Sequence, residues 1–177
     1  IVKQEISSVK TEDGDIFEAD AFILATGHSA RDIFKLLFQK KILLEAKAFA
    51  LGVRIEHPQE LIDNIQYHCP KRDTHLPPAS YSLVKQINER GVFSFCMCPG
   101  GIIAPAATSA GELVVNGWSP SKRNNPFANS GMVVQIELND VIKNEKLKIK
   151  NDALAMMYFQ QMVEQSSYTA GRGKFVA

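Results

Sequence analysis

The sequence predicts an α+β fold: a barrel-like or strongly bent antiparallel β middle with short flanking helices, preceded by a brief α/β stretch. Three observations carry this. Asp13-Gly14 stands between apolar runs, and such dipeptides supply the positive φ angles of a tight hairpin. Phe49, Leu51, Val53 and Ile55 alternate with Ala50, Gly52, Arg54 and Glu56, the period of two that marks a strand with unlike faces. Helical spacing is confined to short stretches, the clearest near the C-terminal end.

Taken in order, residues 1–9 read as a strand that turns at Thr11 to Asp15 and returns through Ile16 to Asp20. Ala21-Phe22-Ile23-Leu24-Ala25 is a continuous apolar run, which suits a strand covered on both faces. It ends at Thr26-Gly27-His28-Ser29. Ser29 with Asp32 resembles a capping arrangement, and Ile33, Leu36 and Leu37 have helical spacing. After the alternating strand, His57-Pro58-Gln59-Glu60 opens a short helix over Leu61, Ile62 and Ile65, with proline tolerated near a helix start.

Residues 68–79 are proline-bearing loop. Further strands are expected over 81–87, 92–97, 112–116 and 131–138. Lys143, Lys146, Lys148 and Lys150 alternate with Ile142, Leu147 and Ile149, which reads as the solvated face of an edge strand. The last helix is expected over 152–165, with Leu154, Met157, Tyr158, Gln161 and Met162 on one side and Asn151 or Asp152 as its cap. Residues 166–177 read as a frayed stub. The chain divides at 1–44, 45–150 and 151–177.

Composition bounds the function. An apolar fraction of 45% and a charged fraction of 22% are those of an ordinary globular protein. A net charge of +1 supplies no field that would draw nucleic acid or an anionic membrane. No stretch approaches the roughly 18 apolar residues of a membrane span, and no signal peptide is evident. Cys69, Cys96 and Cys98 do not make a secreted disulfide framework, so a reducing, cytoplasmic setting is expected. The chain opens on Ile1-Val2 rather than Met, which suggests a piece of a larger protein.

Asp20 to Gly27 resembles the second dinucleotide motif of flavoproteins with a Rossmann-type FAD domain, where a buried strand ends in Ala-Thr-Gly beside the cofactor. The physical requirement is a strand that delivers the chain to the ligand edge and a glycine that lets backbone approach. The resemblance continues through Lys47 to Gln59, Phe93 to Gly101, Val115-Asn116-Gly117 and Asn129-Ser130-Gly131. In that order these segments resemble the bacterial FAD-dependent, or NAD(FAD)-utilizing, dehydrogenases, relatives of the aminoacetone-oxidase-like flavoproteins.

The resemblance implies a parent enzyme that binds FAD, with NAD(P) as a candidate further cofactor, and passes a hydride or electron pair through the flavin. The Gly-x-Gly-x-x-Gly phosphate loop of such enzymes has no counterpart in this sequence, nor does their second glycine-rich flavin segment. The chain therefore resembles the domain inserted between the two halves of the FAD-binding fold, with residues 1–44 a remnant of that fold. It would face a small-molecule substrate and the remaining FAD-domain segments, and alone it is expected to be inactive and to retain no FAD.

Several residues are candidates for chemistry. Cys96 and Cys98 share a face if the strand is regular, with Cα atoms about 6.5–7 Å apart, at or beyond the usual disulfide span of about 4.4–6.8 Å. They are small core residues or, if the chain kinks at Pro99-Gly100-Gly101, a redox pair. Zinc held by Cys96, Cys98, Cys69 and His68 matches no usual ligand spacing, so no metal is expected.

Gly100 and Gly101 form an ordinary turn or, through exposed amides, a loop facing the isoalloxazine ring or the substrate. Arg54, opposite in phase to the apolar residues of its strand, makes a surface salt bridge or faces a cavity where it would suit a carboxylate or phosphate. On the resemblance, Ala25, Thr26, Gly27 and His28 lie at the cofactor edge with Arg31 nearby. His57 reads as a helix-start residue, and Asn116, Asn124, Asn125 and Asn129 as turn residues. No catalytic triad, carboxylate pair or phosphate loop stands out, and hydride transfer needs none, because the flavin carries the chemistry. The alternatives are a non-catalytic ligand- or protein-binding module and a thiol regulator working through Cys96 and Cys98.

Overall fold

A computed structural model describes residues 5–145, 147–150 and 152–174. The first four residues of the expected 1–9 strand, Lys146, the candidate cap Asn151 and the end of the 166–177 stub fall outside them.

The chain begins with a hairpin of β1 (Ser8–Lys10) and β2 (Ile16–Glu18), paired from Ser8↔Glu18 to Lys10↔Ile16. Its turn is closed by the Thr11 amide on the Asp15 carbonyl at 2.9 Å, with Gly14 at φ +98°. Residues 21–27 form no strand, and Ile23 and Leu24 are 93% and 60% exposed. The expected buried strand, and with it a Rossmann-type remnant, is not formed among the described residues. Among the described residues no strand pairs with this run, and all of it except Phe22 is exposed. α1 (Arg31–Gln39) follows, but Ala30 is its N-cap without a side-chain bond. The Ser29 hydroxyl instead lies 3.3 Å from His28 Nε2.

The main sheet is antiparallel, in the order β3 (Phe49–Pro58), β8 (Phe127–Ile136), β5 (Arg90–Cys98), β4 (Val84–Ile87). β3 and β8 pair over ten residues, from Phe49↔Ile136 to Pro58↔Phe127. β4 and β5 join through Asn88 and Glu89, both at positive φ, the geometry of a two-residue hairpin turn. The sheet does not close into a barrel, because β3 and β4 stand at opposite edges with no ladder between them. A second hairpin, β6 (Ile102–Pro105) with β7 (Val115–Trp118), lies against β3, β5 and β8.

α2 (Gln59–Tyr67) leaves β3 directly. It buries Gln59, Ile62 and Asp63, while Leu61 and Ile65 are exposed. Among the described residues from 143 to 150 there is no strand. α3 (Leu138–Ile142) ends there, the Glu137 amide donating to Asp140 Oδ2 at 2.8 Å at its start. A turn then follows through the Leu147 amide on the Asn144 carbonyl. α4 (Ala155–Ala170) begins three residues later than expected, with Leu154 as N-cap. Asp152 is not that cap; it accepts the Leu154 amide at 2.8 Å.

The core is thin. Its buried apolar residues are Ile62, Ala79, Cys98, Ala128, Val141, Leu154, Ala155 and Met156. The accessible surface is 13211 Å², about half as much again as the roughly 8,600 Å² of a compact monomer of this mass. Val53, Phe95, Val84 and Trp118 are each more than half exposed on the strands.

Candidate functional site

Arg54 organises the most distinctive group of side chains. Its register partner on β8 is Gly131, and Gly131 pairs onward with Phe95 of β5. Residues directly opposite one another share a face, so Arg54, Gly131 and Phe95 form one row. The next row on that face is Glu56, Asn129 and Cys98. Arg54 Nε donates to Asn129 Oδ1 at 2.8 Å. Its Nη2 donates to the Cys96 carbonyl and lies 3.5 Å from Cys98 Sγ. Arg54 makes no ion pair among the described residues, so it is neither the expected surface salt bridge nor neutralised within the fold.

Asn129 is fully buried, and its Nδ2 has no acceptor. It was expected in a turn but stands in the central strand. Gly117 of β7 lies over the contact. A methyl there would overlap Arg54 Nη2 and come 2.5 Å from Asn129 Oδ1.

The two cysteines do not share a face. Between Phe95↔Gly131 and Cys98↔Asn129, three steps on β5 match two on β8, which is a bulge. Cys96 takes the extra position at φ +49° and is exposed, whereas Cys98 is buried; both are free thiols, as is Cys69. Cys98 Sγ donates to the Cys96 carbonyl at 3.3 Å. Among the described residues no group of three or more His, Cys, Asp or Glu is placed to hold a metal.

Gly100 and Gly101 are closed in. The Gly100 amide donates to Gln59 Oε1 at 2.7 Å, and its φ of +51° brings it against the Arg123 backbone. A methyl on Gly101 would meet the Trp118 carbonyl at 2.6 Å. Gln59 Nε2 in turn donates to Asp63 Oδ1 at 2.8 Å and the Ala79 carbonyl at 2.9 Å. Asp63 also accepts Arg72 Nε and the Ala79 amide, each at 2.8 Å. Burial opposes charge on Asp63, but these donors hold its pKa below the usual carboxylate value.

Arg31 is not at an open edge. Nη1 donates to Glu112 Oε1 at 2.6 Å and Nη2 to Glu164 Oε2. This ties α1 to the segment before β7 and to α4. Glu112 Oε2 is buried without a partner. Burial works against ionisation of Glu112, yet hydrogen bonds from Arg31 and Gln161 keep its pKa lowered. This three-group ion cluster was not read from the sequence, where its members lie far apart.

The Ala25-Thr26-Gly27-His28 turn is open. All four residues are exposed, and Gly27 sits at φ +79° with nothing within 4 Å of where a methyl would be. The backbone of this turn is accessible from outside. Gly100 and Gly101 are not accessible in the same way, because packing occupies them. His57 ends β3, its ring 5.5 Å from Tyr81 and both ring nitrogens buried without partners.

Residues 48–177 match the family described as "FAD-dependent protein, C-terminal domain-like". A protein of Clostridium beijerinckii, whose recorded name is "Uncharacterized protein", is 40% identical over 166 residues, which is 93% of this chain. The chain spans 30% of that protein's length. This chain belongs to the family of FAD-dependent protein C-terminal-like domains, and is α+β with mostly antiparallel sheets.

Proposed function

We propose that this chain is the substrate-side, flavin-covering domain of an FAD-dependent oxidoreductase, inserted in the manner of the NAD(FAD)-utilizing dehydrogenases. Family membership over residues 48–177 carries the flavoprotein part of this reading. The covering role is supported by the excess of exposed surface and by bare apolar residues such as Ile23, Leu24, Val53 and Phe95. A surface that meets another part of the protein is where such residues would be covered. The occupant is the rest of the parent chain, with a small-molecule substrate between the two parts.

Bound FAD would supply the two-electron chemistry, with NAD(P) as a candidate electron partner; the protein supplies binding and orientation. Ala25, Thr26, Gly27 and His28 would approach the cofactor, Gly27 because its backbone carries no side chain to hold a ligand off. The single observation behind this placement is the open turn at φ +79°. Hydrogen exchange on the full-length protein tests it. Amides of residues 21–28 should exchange more slowly in the full-length protein than in this chain, and more slowly again with FAD. Equal, fast exchange in all three states would remove the covering role.

A further inference from the structure

We propose that Arg54 is the seat for the carboxylate of a small organic acid with an apolar body, and that such acids are the substrate class of this domain. The word substrate rests on the flavoenzyme reading; the seat itself does not. Among the described residues Arg54 makes three polar contacts, to Asn129 Oδ1, the Cys96 carbonyl and Cys98 Sγ, and none carries a formal negative charge in its ordinary state. Its Nη1 takes part in none of them. Nε and Nη2 are engaged within the fold and hold the guanidinium in place, which leaves the N–H groups of Nη1 to meet a carboxylate oxygen through a charge-assisted hydrogen bond.

Two further features point to a ligand. Asn129 Nδ2 is a buried donor with no acceptor, and a buried donor without a partner is costly enough to be rare. It lies in the side chain that Arg54 already grips. Across Gly131 from Arg54, in the same row, stands Phe95, 60% exposed. The Arg54 guanidinium reaches the Cys96 carbonyl, one residue from Phe95, so the cation extends to the strand that carries the exposed ring. That arrangement suits an acid whose carboxylate meets Arg54 and whose apolar part lies on Phe95. A single cation beside a ring matches a monocarboxylate better than a phosphate dianion.

Titration calorimetry on the full-length protein tests this with sodium benzoate, inorganic phosphate and neutral benzamide. Benzoate should bind at one site, and benzamide at least about tenfold more weakly, as expected when a charge-assisted hydrogen bond is lost. Arg54→Gln should lose benzoate binding, and Arg54→Lys, which keeps the charge but not the bonds to Asn129 and the Cys96 carbonyl that hold the cation in place, should weaken it. Asn129→Asp keeps an acceptor for Arg54 Nε while neutralising the cation, so it should also lose binding with its circular dichroism unchanged. The proposal is overturned if wild-type protein ignores benzoate, if phosphate binds in its place, if benzamide binds as well, or if a well-folded Asn129→Asp or Arg54→Gln variant binds benzoate normally. Binding heat needs no flavin. A flavin-free protein that takes benzoate through Arg54 would keep this proposal and sink the flavoenzyme reading; a flavin-loaded protein indifferent to benzoate would do the reverse.

Discussion

Arg54 Nε donates to Asn129 Oδ1 at 2.8 Å across the β3–β8 ladder, and Gly117 of the second hairpin lies over that bond with no room for a side chain. A methyl at this position must push the guanidinium off Asn129 and the Cys96 carbonyl. Gly117→Ala should therefore cost about 1–3 kcal/mol, the usual range for overpacking, read from a urea midpoint. Gly91→Ala is the control. Its added methyl meets only Gln86 Nε2 at 3.8 Å, so the midpoint should barely move.

The Arg31 cluster makes a larger effect. Removing the guanidinium leaves Glu112 and Glu164 buried without their cation, and breaking a buried pair on one side costs about 3–5 kcal/mol. Arg31→Met should show a loss of that order in chemical denaturation. Adding Glu164→Gln to that variant should recover part of it, since one uncompensated charge is gone. No recovery would mean that packing rather than charge holds α1 to α4.

Gln59 serves three elements at once. Gln59→Leu leaves the Gly100 amide and the Ala79 carbonyl without their partner, and each unsatisfied buried group costs about 1–3 kcal/mol. Its unfolding midpoint should fall accordingly. Gly100→Ala should be worse, because it joins a strained φ to overlap with the Arg123 backbone.

Acid sensitivity follows from the carboxylates. The Arg90 hydrogen bond, with the Glu137 amide, lowers the Asp140 pKa to about 2. A carboxylate depressed on folding adds stability that is present above its unfolded value and is lost as pH falls through the folded one. Wild-type protein should lose stability from the ordinary Asp range down to about pH 2, and Asp140→Asn should flatten part of that decline. The flattening should be modest, because Arg90 and Asp140 are partly exposed and screened by solvent. Urea midpoints measured across this pH range would check it.

The legible parts of the fold were those with a local signal. Alternation from Phe49 to Ile55 located β3, and Asp13-Gly14 located the first hairpin. The run Ala21 to Ala25 misled because an apolar run reports that a segment wants cover, not that the cover is present. Lys143 to Lys150 misled because an Asp140 cap and a turn outweighed a period of two. At the site, phase put Arg54 on the opposite face from Val53 and Ile55, and that is where it packs against Asn129. Its neighbours were not legible: the bulge that separates Cys96 from Cys98, and the ladder that brings Asn129 under Arg54, depend on cross-strand register. The ion cluster of Arg31, Glu112 and Glu164 depends on tertiary packing in the same way.

The flavin content of the full-length protein, measured beside that of this chain, decides whether the domain belongs to an FAD enzyme. FAD should be bound one to one in the full-length protein, seen in its visible absorption, and no flavin should be retained by this chain alone. A full-length protein that neither contains nor takes up FAD would overturn that reading, as would this chain binding FAD stoichiometrically by itself.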